Sequence, residues 1–167
     1  MSMADTTQLS REELETLRVL MDIEAIKKVK LLYCQLMDSK DIDALAEVFT
    51  EDAVCEFGPY GIWNGRPKIR ENYKNVVGGG EPYGGVHSIT NQWVELTSDT
   101  TAVSRTYLHD ITHAADPRTL PVIWYGIYDE DFRKVSGRWQ IARSTLQFLW
   151  PQRIITGDWP GPFPPKK

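Results

Sequence analysis

Asp22-Ile-Glu-Ala-Ile-Lys-Lys-Val-Lys-Leu-Leu-Tyr-Cys-Gln-Leu-Met-Asp38 is the stretch on which the fold turns. Ile23, Ile26, Val29, Tyr33 and Met37 recur at steps of three and four, which puts them on one helix face that must meet a core. Upstream the helical pattern reaches back to Arg11 and reads as a short helix followed by a longer one. Downstream, Asp41 suits an N-cap for a second helix over 42–49. Thr50-Glu51-Asp52 breaks that helix, and Ala53 to Phe57 reads as a short strand. Gly58-Pro59-Tyr60-Gly61 is a turn, and Gly65-Arg66-Pro67 opens a third helix, where Pro is tolerated in the first turn. Gly78-Gly79-Gly80 ends it.

From His87 the period changes. β-Branched and aromatic residues alternate over 87–96, 101–113, 120–134 and 138–150, with turns at Ser98-Asp99 and Ser136-Gly137, so antiparallel hairpins are expected. Helices followed by long antiparallel strands give the α+β class. A strongly curved sheet wrapped around the helices leaves a hollow at one end. Residues 1–10 read as disordered, 11–150 as one domain, and 151–167 as a Pro-rich tail that suits covering a neighbouring subunit.

The chain has 167 residues, 41% hydrophobic and 25% charged, the balance of a globular domain with a real core. A net charge of −4 argues against nucleic acid, which calls for a basic face. Cys34 and Cys55 give neither a disulfide framework nor a zinc spacing and read as buried thiols. No apolar run approaches the ~20 residues of a membrane span, and no secretory signal is visible, so a cytoplasmic protein is expected.

The order Asp22 to Tyr33, then Asp38, Leu45, Phe49-Thr50-Glu51-Asp52-Ala53, Gly65-Arg66, His87 and Gly137-Arg138-Trp139 resembles the SnoaL-like branch of the NTF2-like superfamily. Its fold is a cone-shaped, cystatin-like α+β barrel. Within the branch the sequence is most similar to bile-acid dehydratases, with hexachlorocyclohexane dehydrochlorinase and scytalone dehydratase further off. The resemblance implies a metal-free, cofactor-independent lyase, commonly a trimer, with an Asp–His dyad at Asp38 and His87. Two further polar positions of the bile-acid enzymes match Tyr33 and Asp110. The arginine that those enzymes carry on the last strand falls near Phe148 here.

Each residue also has a plainer reading. Asp38 closes a long helix, where negative charge opposes the macrodipole, so its placement asks for a reason. His87 opens a strand, where histidines are more often structural, yet its side chain is well poised to take a proton near neutral pH. Tyr33 belongs equally to the apolar stripe, ~140° around the helix from Asp38. Asp110 shares a strand face with Thr106, Leu108 and Thr112, and half-burial there would raise its pKa. His109 and His113 sit ~13 Å apart along one strand, on the face opposite Asp110, so a metal site is not expected. Trp63, Trp124, Phe148 and Trp150 are expected either to roof an apolar pocket or to pack in the core or an interface.

Together these readings point to a dehydratase acting on a small, apolar, hydroxylated cyclic substrate, with a steroid-like compound one option. Isomerisation or polyketide cyclisation would use the same dyad. A ligand-binding module without chemistry is the reading from another class.

Overall fold

The computed structural model describes residues 8–78, 84–113, 116, 118–156 and 163. One helix, α1 (Arg11–Ser39), replaces the expected pair, since no Gly or Pro interrupts those residues. Ser10 caps it: its hydroxyl accepts from the Glu13 N–H, and the Glu13 carboxylate accepts from the Ser10 N–H. Lys40, at φ 59°, ends it in the left-handed region.

Helix α2 (Ile42–Ala46) is shorter than the expected 42–49, with the Asp41 side chain accepting from Ala44 N–H at 3.1 Å. Strand β1 (Phe49–Glu56) begins before the expected Ala53. Its ladder with β6 is interrupted between Phe49 and Val54, so the polar Thr50-Glu51-Asp52, expected to stop a helix, lies within the strand and bypasses the pairing. A 3₁₀ turn (Gly58–Tyr60), strand β2 (Ile62–Asn64) and helix α3 (Arg66–Gly78) follow. The four alternating runs become β3 (Gly84–Leu96), β4 (Thr101–His113), β5 (Val122–Val135) and β6 (Arg138–Trp150).

The sheet order is β2-β1-β6-β5-β4-β3. It is a curved, mixed sheet rather than a closed antiparallel barrel, because β1 runs parallel to β6 and both β2 and β3 are edges. The class is α+β with an NTF2-like, cystatin-like fold. Gly79 and Gly80, the first seven residues and most of the Pro-rich tail lie outside the described residues. Phe163 is described, and its ring lies over the Arg105 guanidinium of the same chain, 5.0 Å away.

The core fills the space between the helices and the inner sheet face, with Ile26, Phe49, Ile69, Phe132 and Ile141 fully buried. Ile26 and Tyr33 of the α1 stripe are buried, and Ile23, Val29 and Met37 pack against this cluster. A charged residue lies in the middle of that stripe. The Lys30 ammonium meets the Glu130 carboxylate at 2.8 Å, and both side chains are wholly shielded from solvent. Ser144 donates to the same carboxylate oxygen at 3.0 Å, and the ammonium lies against the Tyr128 and Tyr33 rings, 3.3 and 4.1 Å from their centroids. Among the described residues no helix is long and apolar enough to cross a membrane.

Breaking a buried ion pair on one side leaves an uncompensated charge, whereas replacing both partners removes the desolvation cost as well. Lys30→Met should therefore lower unfolding free energy by about 3–5 kcal/mol. Adding Glu130→Met should recover most of that loss. Denaturant titration of the two variants checks it, and a double variant no more stable than the single one would refute this account.

Candidate active site

The site is assembled where the C-terminal end of α1 meets the open edge of the sheet. β3 is an edge strand, and the backbone N–H of His87 points away from β4 to the Asp38 carboxylate, 3.0 and 3.2 Å from its two oxygens. The same carboxylate lies 2.7 Å from His87 Nδ1. One side chain thus satisfies an edge-strand donor and orients the ring. An acceptor carboxylate at this position fits the neutral tautomer with its proton on Nδ1.

His87 pairs with Asp110 across the β3–β4 ladder. Because the His87 N–H is turned outward, this is a non-hydrogen-bonded pair, the kind whose side chains stand closer together. Nε2 of His87 and a carboxylate oxygen of Asp110 are 4.0 Å apart, beyond hydrogen-bond reach. Thr112 donates to Asp110 at 3.3 Å. Burial raises Asp110 from its ordinary carboxylate value, against the opposing pull of the His87 ring and the Thr112 hydroxyl. Side-chain exposures of 15% for His87, 19% for Asp110 and 30% for Asp38 make the group reachable but shielded.

The register extends the row: Asp110 pairs with Trp124 on β5, and Trp124 packs edge-on against Phe148 of β6 at 5.4 Å between centroids. Two of the four aromatic candidates therefore continue the row of His87 and Asp110. Trp63 packs instead on Phe57 and Tyr73 in the core, its indole donating to the Tyr60 carbonyl. Trp150 is largely exposed opposite Tyr125.

Tyr33 is buried, and its hydroxyl is 2.9 Å from that of Tyr73 and 3.4 Å from that of Tyr128. Burial pushes all three phenols well above their ordinary range, so they remain neutral donors and acceptors. Tyr73 and Tyr128 were not singled out in the sequence. The position of Tyr128 on an inward strand face was the available signal. Both cysteines are buried, and burial pushes the Cys34 thiol up to about 11.

His109 packs edge-on against Tyr125, 5.0 Å away, on the other face of β4. Among the described residues no three His, Cys, Asp or Glu side chains are grouped to hold a metal ion. A surface cavity of about 390 Å³ beside Leu9, Glu13 and Leu17 lies at the opposite end of α1 from Asp38 and is separate from this group.

The sequence profile of the SnoaL-like domain matches residues 18–145. A crystal structure from Novosphingobium aromaticivorans, provisionally named an aromatic ring hydroxylase, is 30% identical, with 83% of this chain and 94% of that one covered at a TM-score of 0.70. Another from the same organism, provisionally named a scytalone dehydratase, is 24% identical, with 91% and 99% covered at 0.73. Hexachlorocyclohexane dehydrochlorinase LinA-type3 from Novosphingobium barchaimii is 16% identical, with 90% and 99% covered at 0.72.

The raised value of Asp110 has a consequence for stability. The folded chain holds this proton to higher pH than the unfolded chain does. Its contribution is thus fully present below the ordinary carboxylate value of ~3.9 and is lost as pH rises through the folded value. Asp110→Asn should raise Tm at pH 7, with the gain shrinking toward pH 3. A Tm series across that range checks it, and an equal gain at both ends would contradict it.

Proposed function

The chain belongs to the SnoaL-like domain family, and from that premise we propose that it is a cofactor-independent lyase, a dehydratase of a hydroxylated, cyclic, apolar molecule, with a steroid-like compound one option. The observation that carries this reading is the row Asp38–His87–Asp110, with one imidazole nitrogen held and the other free and facing a carboxyl. Nε2 of His87 takes a proton from a carbon next to a carbonyl, and the C–H electron pair becomes the new double bond. The C–O bond breaks with its pair going to oxygen, which takes the Asp110 proton and leaves as water. Asp38 stabilises the imidazolium, as a carboxylate does in hydrolase triads. The proton on Nε2 then passes to Asp110, and the site is restored.

Base and acid stand on one side, so hydrogen and hydroxyl leave from the same face of the substrate. Trp124 and Phe148 support an uncharged, apolar ring system beside Asp110. Tyr33 has a smaller share, since Tyr73 and Tyr128 already engage its hydroxyl. The same facing groups also suit isomerisation, in which Asp110 would return a proton to another carbon.

Turnover of a panel of hydroxylated polycyclic ketones, followed by the absorbance of the conjugated product, tests the reading. His87→Ala should lower kcat by about 10²–10⁴-fold, with less effect on KM. Asp38→Asn should be severely impaired through the wrong tautomer, and Tyr33→Phe only mildly. Near-full activity in His87→Ala would end the elimination mechanism, and no turnover at all would favour a binding module.

The proposal includes a closed homotrimer. Trp93, Tyr107, Ile111, Ile123 and Tyr125 expose apolar surface on the outer sheet face, where a second copy would cover it. Sedimentation at micromolar concentration should give a trimer; a monomer would count against it.

A further inference from the structure

Three charged residues of α1, spaced eight apart, each reach a different part of the sheet. The Asp22 carboxylate accepts from Trp139 Nε1 of β6 and from Lys134 Nζ of β5, each at 2.8 Å. Lys30 meets Glu130 of β5 at 2.8 Å, and Asp38 meets His87 of β3. Eight residues advance a helix by ~12 Å and turn it ~80° past two full turns. The three contacts therefore follow α1 as it crosses the sheet obliquely, from the β5–β6 side to the β3 edge.

We propose that the buried Lys30–Glu130 pair is a positioning device for the Asp38–His87 pair. It fixes the depth and rotation of α1 so that the Asp38 carboxylate reaches the His87 ring. The inference rests on the reading that Asp38 and His87 are the working pair.

Two observations carry it. Among the large aliphatics of α1 only Ile26 is fully buried, while Ile23, Val29, Leu36 and Met37 pack on the core from its margin, so Lys30 is the deepest polar anchor of the helix. Aliphatic contacts also allow a helix to slide or roll at modest cost, whereas an ion pair at 2.8 Å tolerates little displacement. The second is that the pair is a poor device for stability alone. Among the described residues Glu130 Oε2 is buried with no hydrogen-bond partner, so desolvation is incompletely offset. A buried ionic group of this kind is best understood as setting register.

The test reads His87 without any substrate, so it can fail independently of the lyase reading. In ¹⁵N-labelled protein, two-bond ¹H–¹⁵N correlation spectra report which imidazole nitrogen carries the proton, with His87→Ala assigning the signal. The wild-type ring should be the Nδ1–H form, and Asp38→Asn should shift it to Nε2–H. Lys30→Met with Glu130→Met should remain folded and show the same shift toward Nε2–H, although neither change touches His87. A folded double variant with the wild-type His87 pattern would overturn the proposal. Should that variant not fold, Glu130→Gln, which keeps the shape and one acceptor oxygen, is read the same way. A partial shift would support the positioning role, and an unchanged His87 pattern would overturn it.

Discussion

The Asp38 carboxylate at the free edge of the sheet is the contact from which the rest of the arrangement follows. An edge strand presents N–H groups with no strand to pair with. Here one of them, on His87, is taken by a side chain at the end of α1. Negative charge at a helix C-terminus is unfavourable. The three contacts from one residue, two to the backbone N–H and one to the ring, offset that disadvantage. The same bonds dock the helix end against the sheet edge and orient the His87 ring, so folding and site geometry cannot be separated here.

The strand phase does the remaining work. Turning the His87 N–H outward makes His87 and Asp110 a close pair on the inner face, and a one-residue slip of β3 would send the His87 side chain to the outer face, away from Asp110. The chain just upstream supports this register. At Gly84 a Cβ would collide with the His113 ring, so a residue without a side chain lets β3 start flush against β4. Trp124 then continues the row in register with Asp110, and Phe148 reaches its ring from β6 across a register shift between Tyr125 and Gly126.

The strands were legible because period-two alternation is a strong signal over 13 or 14 residues, and their bounds fall within three residues of those read from the sequence. Asp38 and His87 were legible only with the family resemblance, since each alone reads as an ordinary helix-end or strand-end residue. What the sequence concealed depends on pairing at a distance. Thr50-Glu51-Asp52 looks like a helix stop, and only the irregular ladder with β6 makes it part of a strand. Lys30 falls between Ile26 and Cys34 on the buried side of α1, but a lone lysine reads as solvated until Glu130, a hundred residues on, is brought to it. Tyr73 and Tyr128 likewise become a group only once Tyr33 stands between them.

The two carboxyls beside His87 occupy different environments, and on the proposed reading that difference divides the work between them. Asp38 receives N–H donors from both the backbone and the ring of His87, which suits a fixed acceptor. Asp110 is more enclosed, receives one hydroxyl donor, and is pushed by burial toward its neutral form. On the proposed reading Asp38 orients the ring and Asp110 supplies the acid. The 4.0 Å separation matters for the same reason. At hydrogen-bond distance Asp110 would donate to Nε2 and occupy the base. At this distance both groups stay available to a third molecule placed between them, on the proposed reading a substrate that gives its proton to one and takes a proton from the other.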